Sequence, residues 1–224
     1  MTFKPHLLVP LALLGVAAAP ARFTAPMQPW TSSDGQVSLL QPAAAQFTTS
    51  GESLSTLMSP GWRLIWGGEH PTSGRMIVRL TLKVVPHKLT PGSNAGTATE
   101  VFQVGVSRDP AVVRSCLRHG LDGGSGGRKP DRVINGVHYV VWDNGDAGMS
   151  SGIGGTDLRA VVDGACYAVE RFGVSESASD GDPSVKLAQA RGAAELDATL
   201  ASLRIGHGVA QVPALRMLPG VVAR

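Results

Sequence analysis

The sequence predicts an α+β domain built on an antiparallel sheet. Three observations point there. Patterned segments run in the order strands, helix, strands, helix, the arrangement of an α+β fold rather than of alternating βαβ units. Links between several neighbouring strand segments are short, which favours antiparallel pairing. The 224 residues, 43% hydrophobic and 17% charged, suffice for one core and are too few for two large domains. Abundant Gly (28) and Pro (15) imply many turns in a folded chain. A formal charge of +3, from 20 basic and 17 acidic residues, leaves little field for a phosphate backbone and gives nucleic-acid binding no support.

The chain opens with an export signal. Lys4 is followed by the apolar run Leu7 to Val16 and by Ala17-Ala18-Ala19-Pro20-Ala21, in the order charged segment, short apolar segment, small-residue cleavage site. The apolar part is well short of the roughly 20 residues that span a bilayer as a helix. Residues 1–21 are therefore read as a signal peptide cut after Ala21, with no lipid-accepting cysteine beside the cut and no membrane span. Residues 22–36, rich in Pro, Ser and Thr, read as a flexible leader, 37–206 as one α+β domain, and 207–224 as a C-terminal tail.

Within the domain, Met76 to Val84 alternates most cleanly, with Met76, Val78, Leu80, Leu82 and Val84 on one face and Arg79, Thr81 and Lys83 on the other. Further strands are predicted over Val37 to Leu40, Trp62 to Trp66, Thr99 to Val106, Val137 to Asp143, Leu158 to Asp163 and Cys166 to Phe172. Asp109-Pro110 supplies an N-cap and a first-position proline for a helix carrying Val112, Val113, Cys116, Leu117 and Leu121, which the glycines from Gly120 to Gly127 should end. A second helix is expected near Gly192 to Leu203, with Leu196, Leu200 and Leu203 on one stripe.

The two cysteines, Cys116 and Cys166, are expected to form a disulfide. Cys116 lies on the apolar stripe of its helix and faces the sheet. Cys166 shares a strand face with Ala168 and Phe172. Both are assigned a structural role.

Several motifs carry residues of candidate chemistry. Gly148-Met149-Ser150-Ser151-Gly152 fits the G-x-S-x-G nucleophile elbow, with His138 or His119 and Asp143 as partners, but a second strand follows where the elbow needs a helix. The glycine runs Gly123 to Gly127 and Gly152 to Gly154 lack the strand and helix that would make a phosphate cradle. Both are read as loops. The whole segment Asn144 to Thr156 is expected to be the most mobile internal loop. Asp143, Asn144 and Asp146 offer oxygens to a cation, but the rest of a calcium loop is missing and an Asn144-Gly145 turn explains the same residues. The six histidines are never spaced as a local zinc pair, so no metal and no cofactor is expected. Trp62, Trp66 and Trp142 are candidates for lining a ligand groove, with Asp143 and Asp146 at its edge.

A family resemblance runs through Met58-Ser59-Pro60-Gly61-Trp62, Val133 to Tyr139, the Val162-Asp163-Gly164-Ala165-Cys166-Tyr167-Ala168-Val169 hairpin, and the final helix leading to Ser202-Leu203-Arg204-Ile205. This succession resembles the PsbP-like domains. The resemblance implies an α/β/α sandwich, an antiparallel central sheet flanked by helices, in an exported protein without catalytic residues. The leading expectation is a soluble, monomeric, non-enzymatic binding or accessory protein of the cell envelope, periplasmic or secreted, whose partner is a protein or a small molecule. The alternatives are a serine hydrolase using Ser150 and an inhibitor or partner-binding protein for another secreted protein.

Overall fold

The computed structural model describes residues 26–49, 74–84, 97–118, 127–147, 151–176 and 183–206. The signal segment, the strand expected over Trp62 to Trp66, and the tail lie outside the described residues. The elements, in chain order, are β1 (Met27–Thr31), β2 (Val37–Pro42), β3 (Gln46–Thr48), β4 (Arg75–Val84), β5 (Thr97–Ser107), α1 (Pro110–Ser115), β6 (Arg128–Ile134), β7 (Val137–Ala147), β8 (Ser151–Val162), β9 (Ala165–Glu176), α2 (Pro183–Ser202) and β10 (Arg204–Ile205). Seven strands form one sheet in the order β3-β4-β5-β9-β8-β7-β6, and β1-β2-β10 form a smaller one. Every pairing is antiparallel.

Two tight turns fix the register of the β6–β7–β8–β9 meander. Asn135 (φ 48°) and Gly136 (φ 84°) join β6 to β7, and Asp163 (φ 50°) and Gly164 (φ 70°) join β8 to β9. Consecutive positive φ values at Asn-Gly and Asp-Gly suit a two-residue hairpin, whose twist matches that of its strands. Asn135 does a second job: its Nδ2 donates to the carbonyls of Ala201 (3.0 Å) and Leu203 (2.7 Å), satisfying acceptors at the C-terminal end of α2 that no further helical turn can reach. Asn135→Ala therefore loses two hydrogen bonds and the residue type that best tolerates a left-handed backbone. We expect it to cost about 2–3 kcal/mol of unfolding free energy, measured by chemical denaturation.

The core lies on one face of the large sheet. Val78 and Leu80, Phe102 and Val104, Val169 and Tyr167, Leu158 and Ala160, and Val141 and Tyr139 pack there against Leu196, Leu200 and Leu203 and against Val37, Leu39 and Ile205 from the small sheet. The alternation expected for β4 holds from Val78 to Leu82. A shift in register between Met76 and Val78 lets Ile77 join the core as well. On the opposite face α1 begins with the expected cap, Asp109 accepting from the Ala111 amide at 2.7 Å. A disulfide joins Cys116 to Cys166, with 5.7 Å between Cα atoms, and Val112 and Ala168 pack around it.

The helix-flanked α/β/α sandwich is overturned. The described residues hold ten strands and two helices, so the protein is mostly antiparallel β. The first helix closes at Ser115, before Leu117 and Leu121, and at six residues it covers only the patch around the disulfide. Of the glycines read as loop, Gly145, Gly152, Gly154 and Gly155 belong to β7 and β8, whose pairing runs from Val140↔Arg159 to Ala147↔Gly152; Gly123 to Gly126 and Gly148 lie outside the described residues. Gly145 and Gly152 to Thr156 are strand residues, and Asn144-Gly145 is not a turn. Backbone pairing along the hairpin compensates for the strand-forming side chains this segment lacks. Part of the predicted leader is also ordered in the sheet, because Met27–Thr31 pairs with β2.

Candidate functional site

The sheet register lines up an unusual row. Across four neighbouring strands Glu100 of β5 faces Gly173 of β9, Gly173 faces Gly154 of β8, and Gly154 faces Gly145 of β7. The next row along again pairs small residues, Ala98 with Ser175 and Ser175 with Gly152. All lie on the core face, since they are in step with Phe102, Val169, Leu158 and Val141. Toward the Asn135-Gly136 and Asp163-Gly164 turns the leucines of α2 pack on this face. Here there is nothing on the floor to meet them.

The result is a cavity of about 610 Å³ between the glycine floor and α2, which contributes Gln189, Ala190 and Ala193. Strands are about 4.8 Å apart, so the three glycines open a trough of about 10 Å across the sheet. Arg171, one core-face step from Gly173, closes one side. It donates to Asp197 Oδ1 of α2 at 2.9 Å and to the Ala193 carbonyl at 3.5 Å, a strut between floor and roof. Glu100 closes one end, and its carboxyl lies over Gly173: a Cβ at that glycine would sit 2.6 Å from Glu100 Oε1. Glu100 is 5% exposed. Burial, opposed by the nearby Arg171 charge and reinforced by Asp197, pushes its carboxyl up to about 7.

A second polar cluster occupies the other face. Arg79 faces Gln103, Gln103 faces Glu170, and Glu170 faces Asp157, with Arg159 two residues beyond. All five are buried. Arg159 Nε donates to both oxygens of Asp157 at 3.0 Å, and Gln103 Nε2 donates to Glu170 Oε2. Burial and the facing Asp157 push the Glu170 carboxyl up to about 8. Burial pushes the Asp157 carboxyl up as well, opposed by the charge and the hydrogen bonds of Arg159. With no member more than 9% exposed, the row is sealed from substrate and serves the fold.

Of the binding candidates singled out from sequence, the described residues include Trp142, Asp143 and Asp146. Trp62 and Trp66 lie outside the described residues, as do Ser150 and His119. Trp142 and Asp143 are consecutive on β7 and turn to opposite faces. Trp142 stands beneath the Arg128 guanidinium, 5.4 Å from ring centre, and Asp143 pairs with Lys129 at 2.8 Å. Asp146 is placed on β7 facing Ile153 of β8. Among the described residues no group of three or more His, Cys, Asp or Glu is placed to hold a metal.

Two described elements bear on the hydrolase alternative. Strand β8 begins directly after Ser150, where a nucleophile elbow requires a helix. His138 pairs with Asp131 at 3.2 Å near the start of β7, nine residues and about 30 Å along the strand from its far end.

The glycine floor was missed as a site because each glycine alone reads as a turn. Only the pairing register makes them one surface. Glu100 did carry a signal: it is the single acid in step with Phe102, Val104 and Val106 on an otherwise apolar strand face.

Among the described residues no helix is long and apolar enough to cross a membrane. No family model and no curated protein matches the chain. Among solved structures it is similar to LpqN of Mycobacterium tuberculosis, described as involved in cell envelope biogenesis, at 11% identity and a TM-score of 0.36 over 80% of this chain and 90% of that one.

Proposed function

We propose that this chain is an exported, non-enzymatic binding or accessory protein of the cell envelope, and that it takes a small organic ligand into the glycine-floored cavity beneath α2. The observation that carries the reading is the alignment of Gly145, Gly154 and Gly173 under Gln189, Ala190 and Ala193. A sheet face elsewhere packed with Phe102, Leu158 and Val141 is here left without side chains, and a concave, mixed apolar and polar lining is the usual form of a small-molecule site.

Native mass spectrometry of the protein recovered from the culture medium or periplasm tests this reading. The expected result is a small-molecule adduct that is lost in Gly154→Leu, whose side chain would stand in the trough. An adduct retained unchanged in that variant would remove the cavity from consideration. Ser150→Ala should leave the adduct in place and should not abolish any labelling by a serine-reactive fluorophosphonate.

Export is supported by the order of charged, apolar and small residues over Met1 to Ala21 and by the Cys116–Cys166 bridge, since such bridges persist in oxidising compartments. The mature N-terminus is expected at Arg22, read by N-terminal peptide mapping. A full-length, cytoplasmic product would contradict it.

A further inference from the structure

The cavity holds one buried acid without a counter-charge. None of the described hydrogen bonds or ion pairs involves the Glu100 carboxyl, although it is 95% buried (5% exposed) and lies over Gly173 in the cavity wall. Arg171, the neighbouring cation, is already committed to Asp197 and the Ala193 carbonyl. The charged groups whose fields reach Glu100 are Arg171 on β9 and Asp197 on α2. From the other packed strands come Leu82, directly opposite on β4, and the glycines of β8 and β7. Arg171 and Asp197 cancel in formal charge, with the Arg171 field the larger at Glu100, so an ionised Glu100 leaves this end of the cavity one formal negative charge in excess. A buried carboxylate is costly without a paired donor.

We propose that Glu100 is the anchor for the ammonium group of a slim organic amine, whose flat apolar body lies along Gly173, Gly154 and Gly145. This deepens the reading of the cavity as a ligand site and rests on it. An ammonium supplies both missing elements at once, a positive charge and hydrogen-bond donors aimed at the carboxylate. An anionic ligand would bring a second negative charge beside Glu100 while the adjacent Arg171 guanidinium is already paired. The floor sets the shape: over three strands it offers peptide planes and Cα atoms, a surface that a ring or an extended chain can lie against. Ala190 and Ala193 add only methyl groups from above, so a flat body meets small side chains on both sides.

The test compares benzylamine, cationic across the range used, with the isosteric but neutral benzyl alcohol, by titration followed in ligand-observed NMR on the mature protein. Benzylamine should bind at least roughly tenfold more tightly than benzyl alcohol at about pH 8.5. Its affinity should fall at least roughly tenfold by about pH 5.5, as Glu100 takes up its proton around 7. Glu100→Gln, which keeps the side-chain shape and removes the charge, should bring benzylamine down to the level of benzyl alcohol and flatten the pH dependence. Its melting temperature is checked alongside. Equal binding of the two probes, no benzylamine binding at millimolar concentration, or undiminished benzylamine binding in Glu100→Gln overturns the ammonium anchor. Equal binding of the two probes that Gly154→Leu abolishes would overturn the anchor while leaving the cavity itself as the ligand site. Binding of both probes that Gly154→Leu leaves intact sinks the cavity reading as well.

Discussion

Replacing Cys116 and Cys166 together by alanine, or reducing the bridge, should lower the unfolding free energy by about 4 kcal/mol. In the chain-entropy account this is the value for a closed loop of 50 residues. The structure adds a local reason for a large effect. Helix α1 has six residues, too few to be stable in isolation, and its docked residues are Val112 and Cys116 against Cys166 and Ala168. Without the bond, α1 keeps only that small contact. Equilibrium denaturation with and without reductant checks the magnitude, and a loss under about 1 kcal/mol would show that the bridge contributes little to this fold. Because the bridge lies on the sheet face opposite the cavity, ligand binding below the new melting temperature should be unchanged in the reduced protein.

The second large effect is a stability that falls as pH rises. Glu170 keeps its proton in the folded protein up to about 8, whereas an exposed glutamate in the unfolded chain gives it up near its ordinary value of 4.5. Between these limits the folded state binds more protons than the unfolded one, so unfolding free energy decreases with increasing pH. The stabilisation is fully present below about 4.5, is lost progressively up to about 8, and is flat beyond. Glu100, raised to about 7, contributes in the same direction over a shorter window. Asp34, lowered chiefly by its hydrogen bond from Ser32, works in the opposite direction and only below about 3.8. Denaturation midpoints should therefore be higher near pH 5 than near pH 8, by an amount worth on the order of a few kcal/mol.

Glu170→Gln isolates the cause. An amide oxygen can still accept from Gln103 Nε2, and its NH₂ can face Asp157, so the variant imitates the protonated acid. Most of the slope between pH 5 and pH 8 should disappear, with the variant more stable than the parent at pH 8. A parent protein that is more stable at pH 8 than at pH 5, or a variant with the parent's slope, would place the proton elsewhere.

Much of the framework was legible from residue patterns. The alternation around Leu80 and the cap at Asp109-Pro110 are local signals, and the structure contains both the strand and the helix start. The leucine stripe of α2 was legible too, although the helix begins at Pro183, nine residues before Gly192. What was not legible depended on pairing. Val112 to Leu121 has helical spacing, but where such a helix stops depends on what it packs against, and here that is a patch of two strand residues. Gly152 to Gly155 carry almost no strand propensity and become strand because β7 and β9 satisfy the backbone of β8 on both sides. The same dependence hid the site. A row that crosses four strands has members dozens of residues apart in the chain, and no window along the sequence contains it.

The glycine floor also constrains how this protein can change. A residue without a side chain is an end point: every substitution at Gly145, Gly154 or Gly173 adds atoms, so single replacements there can divide or shorten the trough but never enlarge it. Broader ligand acceptance would have to come from the α2 side, at Gln189, Ala190 or Ala193, while narrower acceptance is one codon change away on the floor. Insertions are more severe still. One extra residue in β8 before Gly154 would carry that glycine to the opposite face, and the three-strand alignment would end even though every residue that composes it remained in the chain.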